Sequence, residues 1–105
     1  MYAILSERAT GTTAINLTVN PGRQWKFDNL TLHLSAAGGS GILTITLDAA
    51  AGTDYDTIIF TQDMTLLADL YFQPDPQMNL KAGDGLKITW PNAGGKTYGL
   101  EVNYL

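Results

Sequence analysis

Leu80-Lys81-Ala82-Gly83-Asp84-Gly85-Leu86-Lys87-Ile88-Thr89-Trp90 is the stretch on which the fold turns. Lys81 to Gly85 has the composition of a turn, and the residues after it alternate, with Leu86, Ile88 and Trp90 on one side and Lys87 and Thr89 on the other. A period of two with one apolar side is the signature of a strand that buries one face. The same pattern recurs along the chain. Ile15, Leu17 and Val19 alternate with Asn16 and Thr18 until Asn20-Pro21-Gly22 ends the run as a turn. Leu43, Ile45 and Leu47 form another inward set, and Tyr98, Leu100, Val102 and Tyr104 form the last.

Gln24 to Ser35 is longer, and its parity changes partway. Leu30, Leu32 and Leu34 share a face, whereas Trp25 and Phe27 lie on the opposite parity, which predicts a bulge or kink near Asp28-Asn29. Ile58-Ile59-Phe60 is apolar on both sides, Leu70 and Phe72 mark a short strand, and Pro74 and Pro76 end it. Strands at roughly ten-residue intervals, with no helix longer than a turn, predict an all-β fold: one two-sheet antiparallel sandwich, jelly-roll-like, of seven to eight strands. The sandwich is expected over residues 14–105. Residues 1–13, whose weak alternation is broken by Glu7 and Arg8, are expected to form an N-terminal arm.

Composition narrows the function classes. A chain of 105 residues has room for one domain with its own core. With no cysteine there is no disulfide framework, thiol nucleophile or thiolate metal site. A net charge of -4 disfavours nucleic acid, whose binding needs clustered Lys and Arg. Met1 to Arg8 lacks the basic start and apolar run of a secretory leader, no stretch is long and apolar enough for a spanning helix, and no membrane association is expected. Only 15% of residues are charged, against about 25% in ordinary soluble domains. Thr18, Thr31, Thr44, Thr46, Thr89 and Thr97 stand where outward charges would be usual, which suits a pleated surface and also an exterior that faces another protein.

No constellation of residues points to catalysis. His33 is the only histidine, and with Leu32 and Leu34 facing the core it points outward; no nucleophile-elbow sequence accompanies it. Asp48, Asp54 and Asp56 offer oxygen ligands but lack the spacing of a calcium loop. Gly38-Gly39-Ser40-Gly41 lacks the lysine of a phosphate loop and precedes a strand, so it reads as a hairpin connection. Trp25, Tyr55 and Tyr71 remain as exposed aromatics that could stack on sugar rings. The expectation is a non-enzymatic protein with no cofactor and no metal.

Asn20-Pro21-Gly22-Arg23-Gln24-Trp25, the strand Leu30 to Leu34, Leu43 to Asp48, the corner Ala82-Gly83-Asp84, Trp90-Pro91-Asn92 and Thr97-Tyr98-Gly99-Leu100-Glu101-Val102 together resemble small structural proteins encoded among tailed-phage virion genes, of the capsid decoration (cement) type. The resemblance implies a virion protein that binds and stabilises the shell as a homo-oligomer, with a trimer favoured and the major capsid protein as partner. A carbohydrate- or host-surface-binding module of a phage head or tail is the alternative. Tyr2, Ile4, Leu5, Trp25, His33, Ile59 and Tyr71 are the candidate interface residues: the first three have no clear place in the sandwich, and the other four stand at positions expected to face outward.

Overall fold

The computed structural model describes residues 4–105, which form nine antiparallel strands and one short 3-10 turn, Thr53–Tyr55. The strands are β1 (Leu5–Gly11), β2 (Ile15–Val19), β3 (Trp25–Leu34), β4 (Ile42–Asp48), β5 (Thr57–Asp63), β6 (Asp69–Phe72), β7 (Met78–Leu80), β8 (Gly85–Trp90) and β9 (Tyr98–Tyr104). One sheet runs β1-β9-β3-β6, with β7 also paired to β3, and the other runs β2-β8-β4-β5. β6 lies along Leu30–His33 and β7 along Trp25–Phe27, so the two short strands share one lane beside β3. Counted that way, eight lanes make two four-lane sheets and successive strands cross between them except at the β4-β5 hairpin. That is the jelly-roll arrangement.

The alternating apolar residues meet between the sheets. Ile15, Val19, Leu30, Leu32, Leu34, Leu43, Ile45, Leu86, Ile88, Leu100 and Val102 are buried, and Leu17 and Leu47 are half-buried against them. Trp90, on the inward parity of the Leu86 to Trp90 stretch, is buried with its indole N–H donating to the Ser40 carbonyl at 3.2 Å. The turn before that strand closes through Asp84 N–H to Lys81 O at 3.0 Å with Gly83 at φ +89°, a backbone suited to glycine. Asp84 then ties neighbouring segments: its carboxylate accepts from Ala50 N–H and its carbonyl from the Trp25 indole. Met64, outside any strand, is also fully buried.

Two expectations about the five-stranded sheet need correction. Leu5–Gly11, assigned to an N-terminal arm, is instead the edge strand β1, paired with β9 from Leu5↔Tyr104 to Gly11↔Tyr98. Glu7 stands opposite the buried Val102 and is nonetheless exposed, because β1 lies at the rim of the sandwich; an inward-side charge on an edge strand discourages pairing with a stray strand. The other correction follows from the bulge. The register of β3 against β9 shifts between Phe27 and Asn29, as the parity change predicts, and the extra residue returns Trp25 and Phe27 to the same face as Leu30. Trp25 is therefore a core residue, 2% exposed and packed edge-on against Tyr104, and is no interface candidate.

Candidate functional site

With the core filled from the facing sides of both sheets, the two outer faces are what the protein offers to other molecules. Register places their side chains in rows. On the five-stranded sheet, Ser6, Asn103 and Asn29 form one row, Arg8, Glu101, Thr31 and Tyr71 the next, and Thr10, Gly99, His33 and Asp69 the third. This face is polar and internally bonded. Ser6 Oγ donates to Asn103 Oδ1 at 2.6 Å, Asn103 Nδ2 to Asn29 Oδ1 at 2.8 Å, and Arg8 Nε to Glu101 Oε2 at 2.7 Å. Hydrogen bonding from Asn103 and then from Arg8 holds the Glu101 carboxyl below its ordinary pKa, so it is an ionised acceptor at neutral pH. His33 Nδ1 and Asp69 Oδ1 lie 2.5 Å apart, both in solvent, where such a pair adds little to stability.

Between the second and third of these rows the side chains part. Gly99 leaves a shallow depression of about 520 Å³ between β1 and β3, lined by Arg8, Ala9, Thr10, Thr31, Gly99, Leu100 and Glu101. The Tyr71 ring stands at the end of the neighbouring row, 61% exposed.

The outer face of the four-stranded sheet has a different chemistry. Its rows are Asn16, Thr89, Thr44 and Thr61, then Thr18, Lys87, Thr46 and Ile58, with Ile42 beside Asp63 at one end. Lys87 is the one charge within the two full rows. Threonine methyls and two exposed isoleucines, Ile42 and Ile58, supply most of the rest. Asp63 at the margin is kept below its ordinary pKa by the Thr65 hydroxyl and then the Thr65 N–H.

Of the candidate interface residues, His33 and Tyr71 come together on the polar face, one row apart. Ile4 and Leu5 are exposed at the β1 rim, away from both. Tyr2 lies outside the described residues. Ile59 is a correction: a register shift between Ile45 and Thr46 on β4 sets Ile58 opposite Thr46, so Ile58 is outward at 63% exposure while Ile59 is half-buried against the core. Arg8, Glu101, Thr31 and Gly99 were missed because cross-strand neighbours are far apart in sequence. Outward parity marks Thr31, Gly99 and Glu101, whereas the broken alternation around Arg8 gives it no side.

Other sequence features have structural uses. The Gly38 backbone packs on Met64 and Trp90, where a Cβ would lie 2.6 Å from Met64 O and 2.9 Å from the indole, so the glycine-rich loop is a tight packing element. Asp56 accepts from Ala49 N–H within its own loop. Among the described residues no three acidic or imidazole groups converge on a point where a metal could be held. Beside His33 in its row stand Gly99 and Asp69.

Two solved structures are similar to this chain. One is described as "Family 16 Carbohydrate Binding Module-2", at 10% identity and a TM-score of 0.48, covering 93% of this chain and 74% of that one. The other is the Yersinia pseudotuberculosis-derived mitogen, at 15% identity and a TM-score of 0.46, covering 99% of this chain and 86% of that one. No family model matches the sequence, and no curated protein matches it.

Proposed function

We propose that this protein is a non-enzymatic structural component of a tailed-phage virion that docks on the capsid shell, against the major capsid protein, through the outer face of its four-stranded sheet. The observation that carries the reading is the near absence of charge on that face: Asn16, Thr18, Thr44, Thr46, Thr61, Thr89 and Ile58 surround Lys87 alone. Scarcity of charge across a patch is a compositional mark of a protein interface, since methyl groups gain from leaving water, and Lys87 on the interior strand β8 would need an acidic partner on the shell, because a buried unpaired charge opposes association. The low charged fraction of the whole chain fits the same picture. The protein acts as a homo-oligomer, a trimer, because closed cyclic symmetry sets copies around a shell axis without leaving open ends for fibre growth.

The test uses shells assembled without this protein. Wild-type protein should co-sediment with them, and Ile58→Asp should bind at least about tenfold more weakly, since a carboxylate at a desolvated contact costs more than about 1.4 kcal/mol. Light scattering should give three copies per particle of free protein. Absence of shell binding by the wild type, or undiminished binding by a folded Ile58→Asp variant, refutes the docking face, and a monomer at tens of micromolar refutes the trimer.

A further inference from the structure

Gly99 is the residue on the polar face that the monomer's own structure does not require. It sits inside β9, between β1 and β3, in unbroken register with Thr10 on one side and His33 on the other. A glycine in a strand interior is less stable by roughly 0.5–1 kcal/mol than a residue with a side chain, through lost backbone freedom and missing packing. Three reasons can keep one there, and two are absent. No bulge interrupts the pairing at Gly99. Its φ is outside the left-handed range, and a Cβ built on it would meet nothing within 4 Å, in contrast to Gly38. The remaining reason is close approach of another molecule to the backbone.

The surroundings define the chemistry of that molecule. The depression over Gly99 is walled by Arg8 and Glu101, which neutralise each other, and flanked by the His33 and Asp69 pair. An anion would meet Glu101 and Asp69, a cation would meet Arg8, and neither finds a net opposite charge. What the face supplies in quantity is fixed donors and acceptors: guanidinium, carboxylate, hydroxyls of Thr10 and Thr31, and amides of Asn29 and Asn103. It also offers two open supports for a ring, the Gly99 Cα with no side chain over it and, one row away, the exposed Tyr71 ring. From Arg8 to Tyr71 the row crosses three strand spacings, about 14 Å. A protein surface would need a cluster of apolar anchors, and this face has Tyr71 and the polar imidazole of His33.

We infer that the Gly99 depression is a binding site for a neutral carbohydrate of two or three sugar rings. Vicinal hydroxyls both donate and accept, matching the Arg8 and Glu101 pair, while the C–H face of a ring lies on Gly99 and on Tyr71. Glu101, held ionised by Asn103 and Arg8, keeps its acceptor role down to mildly acidic pH. The site is on the face opposite the proposed shell contact and does not rest on that reading.

The experiment is an amide-resolved NMR titration of the full chain with neutral saccharides up to tens of millimolar: lactose, cellotriose, mannotriose and chitotriose. At least one should shift the Gly99, Thr31 and Tyr71 amides saturably. Tyr71→Ala should weaken that binding about five- to tenfold. Gly99→Val suits a strand and has open space, so it should fold with unchanged or slightly raised stability and abolish the shifts by filling the depression. No saturable shift on this face with any of the four sugars, or undiminished binding by Gly99→Val, overturns the inference. So does loss of oligomer in Gly99→Val without sugar binding by the wild type, which would make the depression a contact between copies. Ile58→Asp should leave sugar binding intact and Gly99→Val should leave shell docking intact, so the two readings fail separately.

Discussion

Asn92→Ala is expected to be among the most destabilising single changes outside the apolar core. Asn92 is the one buried polar residue found among the described residues, 4% exposed, and it sits in the β8-β9 connection with φ +50°. Its side chain makes three hydrogen bonds: Nδ2 donates to Thr13 O and to Lys96 O, each at 2.9 Å, and Oδ1 accepts from Lys96 N–H at 2.8 Å. The connection between β1 and β2 is thereby tied to the connection between β8 and β9, joining both sheets at one end of the sandwich. Truncation to Ala removes all three bonds, at about 1 kcal/mol each, giving roughly 3 kcal/mol. A β-carbon without a compensating polar group in the left-handed region adds about 1 kcal/mol. The total of about 4 kcal/mol is a large part of the roughly 5–15 kcal/mol that holds a domain together. Asn92→Gly loses the same bonds but relieves the backbone. Net of the greater freedom of glycine in the unfolded chain, it should be less destabilised than Asn92→Ala by up to about 1 kcal/mol. Urea denaturation of the three proteins, followed by circular dichroism and compared at equal slope, measures both quantities. If Asn92→Ala lies within about 1 kcal/mol of wild type, the bonded bridge between the two connections does not support the fold as reasoned. If Asn92→Gly is the worse of the two, the backbone part is wrong.

Gly38→Ala and Gly39→Ala, one residue apart, should differ clearly. A Cβ at Gly38 would fall 2.6 Å from the Met64 carbonyl oxygen, so the loop must move and the cost should reach about 2–3 kcal/mol; at Gly39, where φ is +83° but space is open, it should be about 1 kcal/mol. Thermal melts giving equal losses would refute the packing role of this loop. The Glu101 carboxyl has a lowered pKa in the folded protein, so its contribution is present at neutral pH, above the unfolded-state value, and disappears as pH falls through and below the ordinary carboxylate range. Arg8→Gln should move the Glu101 titration, read by NMR, partway back toward the ordinary value, since the Asn103 hydrogen bond remains. An unmoved titration would show that Arg8 does not act on Glu101 in solution.

The sequence by itself determined most of the strands, β1 and β7 excepted, and for most of those the face each turns inward, because alternation is a local property: a side chain's direction follows from its neighbours at i±1, as in Leu86 to Trp90 and Ile15 to Val19. Turn chemistry at Asn20-Pro21-Gly22 and Lys81-Ala82-Gly83-Asp84, and the parity change that foretold the bulge at Asp28, were legible for the same reason. Tertiary structure decided which strands are neighbours. Whether Leu5–Gly11 hangs free or pairs with β9 depends on a β9 edge some ninety residues away, and no local pattern encodes that. Where the bulge sends Trp25, whether Ile58 or Ile59 faces outward, and how Met64 comes to be buried depend on register against a partner strand and on the space between sheets. The depression at Gly99 is of the same kind. A glycine in a strand reads as a weak point until Arg8, Glu101 and Thr31 are seen around it, and only the pairing of β1, β9 and β3 puts them there.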